Sequence, residues 1–129
     1  MKSVTESCVI PKSKDVVFDF LSNFDNMPKW ATQFVQKVMI SDGKRKALTP
    51  FGEVFVRIDS NKNSGTIDFY AGPTEDSMNA AFMRVVSFSN NSCGVTFTFF
   101  KYPETPDQMW ELFCSWIKIE IGNVKKLFS

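Results

Sequence analysis

The stretch ETPDQMWELFCSWIKIEIGNVKKL, residues 104–127, carries the strongest helix signal in the chain. Thr105 offers a side-chain oxygen as N-cap, Pro106 suits the first helical position because its missing N–H would be unpaired there anyway, and Gln108 completes a capping box. The reading is a helix from Pro106 to about Leu127, about 33 Å long at ~1.5 Å per residue. Asp107 and Glu111 lie near its positive end, and Lys125 and Lys126 near its negative end. At ~100° per residue, Met109, Trp110, Phe113, Cys114, Trp116, Ile117, Ile121, Val124, Leu127 and Phe128 share an arc of about 160°. Lys118, Lys125, Glu111 and Ser115 fall outside that arc. Glu120 falls inside it, the one charged residue to do so.

Upstream of the helix the period changes from 3.6 to 2. Residues 80–89 and 93–102 read as strands joined at Asn90-Asn91, residues that tolerate the left-handed turn conformation. Phe82, Val86 and Phe88 share a parity and are expected beside Val95, Phe97 and Phe99, with Met83, Val85, Ser87, Thr96 and Thr98 on the other face. Arg84 interrupts the apolar parity. Residues 53–59 and 66–71 pair with Val56 opposite Phe69 and Ile58 opposite Ile67, which leaves residues 61–64 as a loop and Phe55 and Tyr70 outside. Arg57 opposite Asp68 then reads as a surface ion pair worth at most ~1 kcal/mol. Residues 34–41 read as a strand ending in a turn at Asp42-Gly43, and Lys44-Arg45-Lys46 as a solvated loop run. At the start of the chain, residues 4–10 form a strand that Pro11 ends. Ser13 caps a helix from Lys14 to about Ser22 with Val16, Val17, Phe20 and Leu21 on its apolar face. Residues 23–30 form a turn and at most a short helix, with Trp30 plugging the junction.

Composition narrows the function classes. The chain has 129 residues, enough for one domain with a real core, and no linker, repeat or low-complexity segment divides residues 1–129. Fifteen Lys and Arg against 14 Asp and Glu give a net charge of +1, so no long-range field attracts nucleic acid or an anionic membrane. The longest apolar run is only Ala80 to Met83, far too short to span a bilayer. There is no histidine, which removes Ser-His and Cys-His triads and imidazole metal sites. Cys8, Cys93 and Cys114 lack any CxxC spacing and read as buried structural thiols, with no metal site and no disulfide framework. The first residues carry Glu6, Lys12 and Lys14 with no apolar h-region, so a reducing cytoplasm is the expected location. Fourteen Phe, 3 Trp and 2 Tyr are a large aromatic load for so small a domain.

Strand, short helices, a run of antiparallel strands and one long terminal helix is the helix-grip order. Ile10-Pro11-Lys12-Ser13-Lys14-Asp15-Val16-Val17-Phe18-Asp19-Phe20-Leu21, followed by Asn26-Met27-Pro28-Lys29-Trp30, resembles the START-like superfamily, specifically its polyketide cyclase/dehydrase and lipid-transport branch. The resemblance implies an α+β fold with a curved antiparallel sheet of about six to seven strands around the long helix. It also implies a cavity between them that in many relatives holds a lipid, polyketide, hormone or other apolar molecule. The residues expected to line it are Phe82, Phe97, Phe99, Phe113, Trp116 and Ile117. Aromatics of the sheet face and the helix arc can equally fill that space.

Arg84 and Glu120 are the two charges whose periodicity points inward, where an unpaired charge is costly. They read as a buried ion pair or, functionally, as an anion-binding Arg84 beside a proton-transferring Glu120 whose pKa is raised by apolar surroundings. Three functions follow. The first is a cofactor-free binding protein for a small apolar molecule. The second is a cyclase or dehydratase-type enzyme with Glu120 as candidate catalytic group. The third is a protein-interaction module with a filled core and an outer apolar patch seeded by Phe55 and Phe100.

Overall fold

The computed structural model describes residues 2–129. Strand β1 (Ser3–Ile10) leads into helix α1 (Lys14–Leu21), a 3-10 turn (Phe24–Asn26) and the short helix α2 (Met27–Trp30). Strands β2 (Lys37–Ser41), β3 (Lys44–Thr49), β4 (Gly52–Asn61), β5 (Thr66–Thr74), β6 (Ser77–Ser89) and β7 (Ser92–Phe100) follow, and helix α3 (Asp107–Leu127) closes the chain. The seven strands form one antiparallel sheet in the order β1-β7-β6-β5-β4-β3-β2. The first two strands in sequence are therefore the two sheet edges, and α1 and α2 carry the chain from one edge to the other.

Local chemistry accounts for the breaks between elements. Ser13 Oγ accepts from the Val16 amide at 3.4 Å to start α1, and Asn23 Oδ1 accepts from the Asp25 amide at 3.0 Å to start the 3-10 turn. Asp42 and Gly43 take φ of 54° and 74°, two successive left-handed residues that close a tight hairpin between β2 and β3. Lys44-Arg45-Lys46 is thus no loop but the first half of β3, where cross-strand partners order it. Lys44 pairs with Glu75, Arg45 stacks on the Phe24 ring and Lys46 on the Phe55 ring. The buried residues of α1 are Val17, Phe18 and Leu21, and Val16, expected on the buried face, is exposed. Helix α3 begins at Asp107, one residue later than the capping signal indicates, with Pro106 as an N-cap that makes no side-chain bond. Thr105 is instead buried at the β7–α3 junction, where its amide donates to Tyr102 O at 2.9 Å. The Tyr102 hydroxyl donates to Ala80 O at 2.8 Å and accepts from the Ala80 amide, tying this junction to β6.

Two strand registers differ from the sequence reading. Between β4 and β5, Val56 faces Ala71, Ile58 faces Phe69 and Arg57 faces Tyr70, a slide of two residues that keeps every side chain on its expected face. The Arg57–Asp68 pair does not form. The Arg57 guanidinium lies 4.1 Å from the Tyr70 ring centroid and 3.4 Å from Asp59 of its own strand. Asp68 faces Asp59, and burial together with that like charge pushes its carboxyl above the usual carboxylate range.

Between β6 and β7 the difference is one residue, and its effect is larger. Met83 faces Phe97, Val85 faces Val95 and Ala81 faces Phe99, so the inward parity of β6 is Ala81, Met83 and Val85. Phe82, Arg84, Val86 and Phe88 lie on the outer face. A one-residue slip turns every side chain of a strand over. Both parities of β6 are mostly apolar, so hydrophobicity alone does not choose between them. The core on the inner face contains Ile10, Ile67, Met83, Val85, Val95 and Phe97, covered by Val17 and Leu21 of α1 and by Ile117, Ile121 and Val124 of α3.

Candidate functional site

The site begins where α3 crosses the chain segment that links α2 to β2. Glu120 is 2% exposed, and its Oε2 accepts from the Phe34 amide at 3.0 Å and the Gln33 amide at 3.2 Å. One turn on, Asn123 Nδ2 donates to Trp30 O at 3.1 Å and to Thr32 Oγ1 at 2.8 Å. Two polar residues of α3 thereby hold residues 30–34 against the helix. Burial raises the Glu120 carboxyl to about 7, against the opposing pull of the two amide bonds that favour its charged form.

Arg84 does not meet Glu120. It is exposed on the outer face, where Nη2 donates to Ser64 O at 3.1 Å and helps seat the β4–β5 turn. Phe82, also expected inside, packs edge-on against Phe100 on that outer face at 5.8 Å. The sequence reading placed both inside by giving β6 the wrong parity. Arg84→Ala is expected to change stability by no more than about 0.5 kcal/mol, the range for exposed surface changes. Thermal unfolding of the variant measures this.

The remaining expected residues do come together. Trp30, 1% exposed, packs on Phe69 at 5.4 Å and on Phe97 at 5.6 Å, and those two rings are 5.9 Å apart. From Phe97 the aromatic contacts continue to Phe99 at 4.9 Å, then to Phe113 of α3 at 6.2 Å and to Trp116 at 5.5 Å. Phe51, in the connection between β3 and β4, closes the series against Trp116 at 5.9 Å and Phe113 at 6.4 Å. Phe51 is 51% exposed, and Leu112 and Ile119 of α3 are nearly as open. Ile117 is fully buried in the core. A run of rings thus leads from the centre of the sheet to half-exposed Phe51 at the surface.

Phe51 and Phe69 are members of this run that the sequence reading did not single out. An aromatic between Pro50 and Gly52, at a strand connection, is the signal that marks Phe51. Two depressions, of about 390 Å³ beside Lys2, Lys101, Tyr102 and Pro103 and about 560 Å³ between the β2–β3 turn and β4, have no residue of α3 in their lining. The rings themselves occupy the space under the helix. On the outer face, Phe88 lies over Gly94 and is exposed together with Val9 and Val86; of the two residues expected to seed an outer patch, Phe100 is exposed there and Phe55 is half-buried under Lys46. Among the described residues no cluster of Cys, Asp and Glu is placed to hold a metal, and no helix is long and apolar enough to cross a membrane. Burial pushes the Cys8 and Cys93 thiols up, which makes them poor nucleophiles.

A seven-stranded antiparallel sheet with β1 and β2 at its edges, folded onto a long terminal helix, is the START-like helix-grip fold. Solved structures that share it include the protein XoxI from Bacillus cereus, 17% identical with a TM-score of 0.75 over 99% of this chain and 96% of that one. The Zhui aromatase/cyclase from Streptomyces sp. R1128 is 12% identical with a TM-score of 0.71, covering 98% of this chain and 92% of that one. A START superfamily protein from Mycobacterium smegmatis is 14% identical with a TM-score of 0.62, covering 97% and 98%. No protein-family model and no curated protein matches the sequence. At such identities the likeness carries the fold, and function has to come from the site.

Proposed function

We propose that this protein binds a small apolar molecule between α3 and the sheet, admitted where Phe51, Phe113 and Trp116 meet. The observation that carries the reading is the run of rings from buried Phe97 to half-exposed Phe51. Apolar lining with few polar groups is the usual makeup of a small-molecule site, and the fold shared with the Zhui aromatase/cyclase and the START superfamily protein supports it. The ligand takes the place of ring contacts at the opening, with Phe51 as the displaceable cover.

Binding is preferred to catalysis for a geometric reason. Glu120 is committed to two backbone amides, and the cation once expected beside it lies on the other face of the sheet. A cyclase or dehydratase would need Glu120 to release those amides and reach a substrate.

Titration with tetralin, a bicyclic hydrocarbon, tests the reading. Saturable shifts of the Phe113 and Trp116 resonances are expected. Shifts absent there, or confined to Val9, Val86 and Phe88, would replace this reading with that of an interaction surface. Phe51→Ala is expected to cost about 1 kcal/mol of stability, since the ring is only partly buried. It should also speed release of the probe, because changes at an opening act mainly on dissociation. Relaxation of the bound probe measures that rate.

A further inference from the structure

Helix α3 presents a second apolar line, this one to solvent. Leu112 and Ile119, two turns apart, are both 45% exposed, and Trp116 lies half-buried between them on the same side. Ser115, small and exposed, sits at the midpoint. Phe51 packs on Trp116 and Phe113 along one flank of this line. The other flank carries Asp107 and Glu111 in the first half of the helix and Lys118 and Lys125 in the second, at about 100° to 140° from Leu112. All four are exposed. Lys101 Nζ reaches Asp107 at 3.1 Å, and the other three form no ion pair among the described residues. The order acid, acid, base, base reverses its sign at the middle of the helix. Such a row is complementary to itself when a second copy runs the opposite way, whereas a parallel copy would set like charge against like. The row is also balanced, so it offers no net attraction to an anionic lipid surface or to a peptide of one sign.

We infer that this face of α3 docks a second copy of the chain, α3 against α3 in antiparallel, as a two-fold symmetric dimer. Leu112 meets Ile119 of the second copy on both sides of the axis, Glu111 meets its Lys118, and Asp107 meets its Lys125. Ser115 at the axis lets the two helices approach closely, and Trp116 beside it supplies the aromatic anchor common at interface centres. With so few apolar side chains per copy the contact belongs to the small class, below about 1,200 Å² in total, so the dimer dissociates on dilution. The inference does not rest on the ligand-binding reading, since Phe51 and Phe113 stay on the flank away from the charges.

Sedimentation equilibrium from about 10 μM to about 1 mM protein covers the range of a weak dimer. The native protein is expected to pass from the mass of one chain towards that of two, and Leu112→Ser to remain a monomer. Glu111→Lys and Lys118→Glu are each expected to raise the dissociation constant about tenfold, because each change acts twice in a symmetric pair. The variant carrying both changes should regain the native affinity. So should an equimolar mixture of the two single variants, in which each contact again joins opposite charges. Melting temperatures of these charge variants should match the native value, since the side chains are exposed. A protein that keeps the mass of one chain throughout would overturn the inference, and its pelleting with phosphatidylcholine vesicles would assign the line to a lipid surface instead. A dimer whose affinity neither reversal changes, or that the mixture of variants fails to restore, would place the contact on another surface and overturn the inference as well.

Discussion

Raising the pH from about 4.5 to about 7 is expected to remove roughly 3 kcal/mol of folding stability, and Glu120→Gln is expected to abolish that loss. The sign follows from where the proton is held. Burial raises the Glu120 carboxyl in the folded protein to about 7, whereas in the unfolded chain it titrates near 4.5. Between these values the unfolded state releases a proton that the folded state keeps, so stability falls as pH rises. Below the window both states are protonated and the contribution is fully present; above it both are ionised and the loss is complete. Glutamine keeps a side-chain oxygen for the Gln33 and Phe34 amides but cannot ionise. Asp68, whose carboxyl is also raised, pulls in the same direction from the outer face, so the contrast between native and variant isolates Glu120. Denaturant unfolding at a series of pH values decides the matter. Parallel curves for the two proteins would show that Glu120 ionises freely in the fold. If a substrate is found, loss of turnover in Glu120→Gln with binding retained would support the enzyme reading instead.

The second large effect is a contrast between two phenylalanines that sequence alone treats as neighbours on one face. Phe97→Ala is expected to cost about 3–5 kcal/mol, because it opens a cavity between Trp30, Phe69 and Phe99. For a domain of this size that is a fall of roughly 10–20 °C in melting temperature. Phe82→Ala removes a contact with half-exposed Phe100 on the outer face, and its cost should stay near 1 kcal/mol. Comparable losses in the two variants would mean that β6 presents Phe82 to the core and that the register described here is wrong.

That contrast shows where the sequence is informative and where it is not. The order of elements other than β3 was readable because each boundary rests on local chemistry: Pro11 and Ser13, the Asp42-Gly43 turn, and the acidic start and basic end of α3. Glu120 was readable as a buried charge because a helix of 21 residues samples its arc many times, and one polar residue within it stands out. Its partners were not, since Gln33 and Phe34 lie 87 and 86 residues away and contribute backbone amides that no side-chain pattern announces. Phe97, Phe99, Phe113, Trp116 and Ile117 fall on the expected inner surface, while Phe82 and Arg84 do not.

The sequence by itself determined the α+β class, the helix-grip order and the aromatic character of the interior, since periodicity and capping are properties of neighbouring residues. Tertiary structure decided the face of β6 and the partners of Glu120. A strand with two apolar parities has no local preference between them, and only the register against β7 selects one. A buried polar atom is satisfied or left unpaired by groups far away in the chain, so its state exists only once the layers have packed.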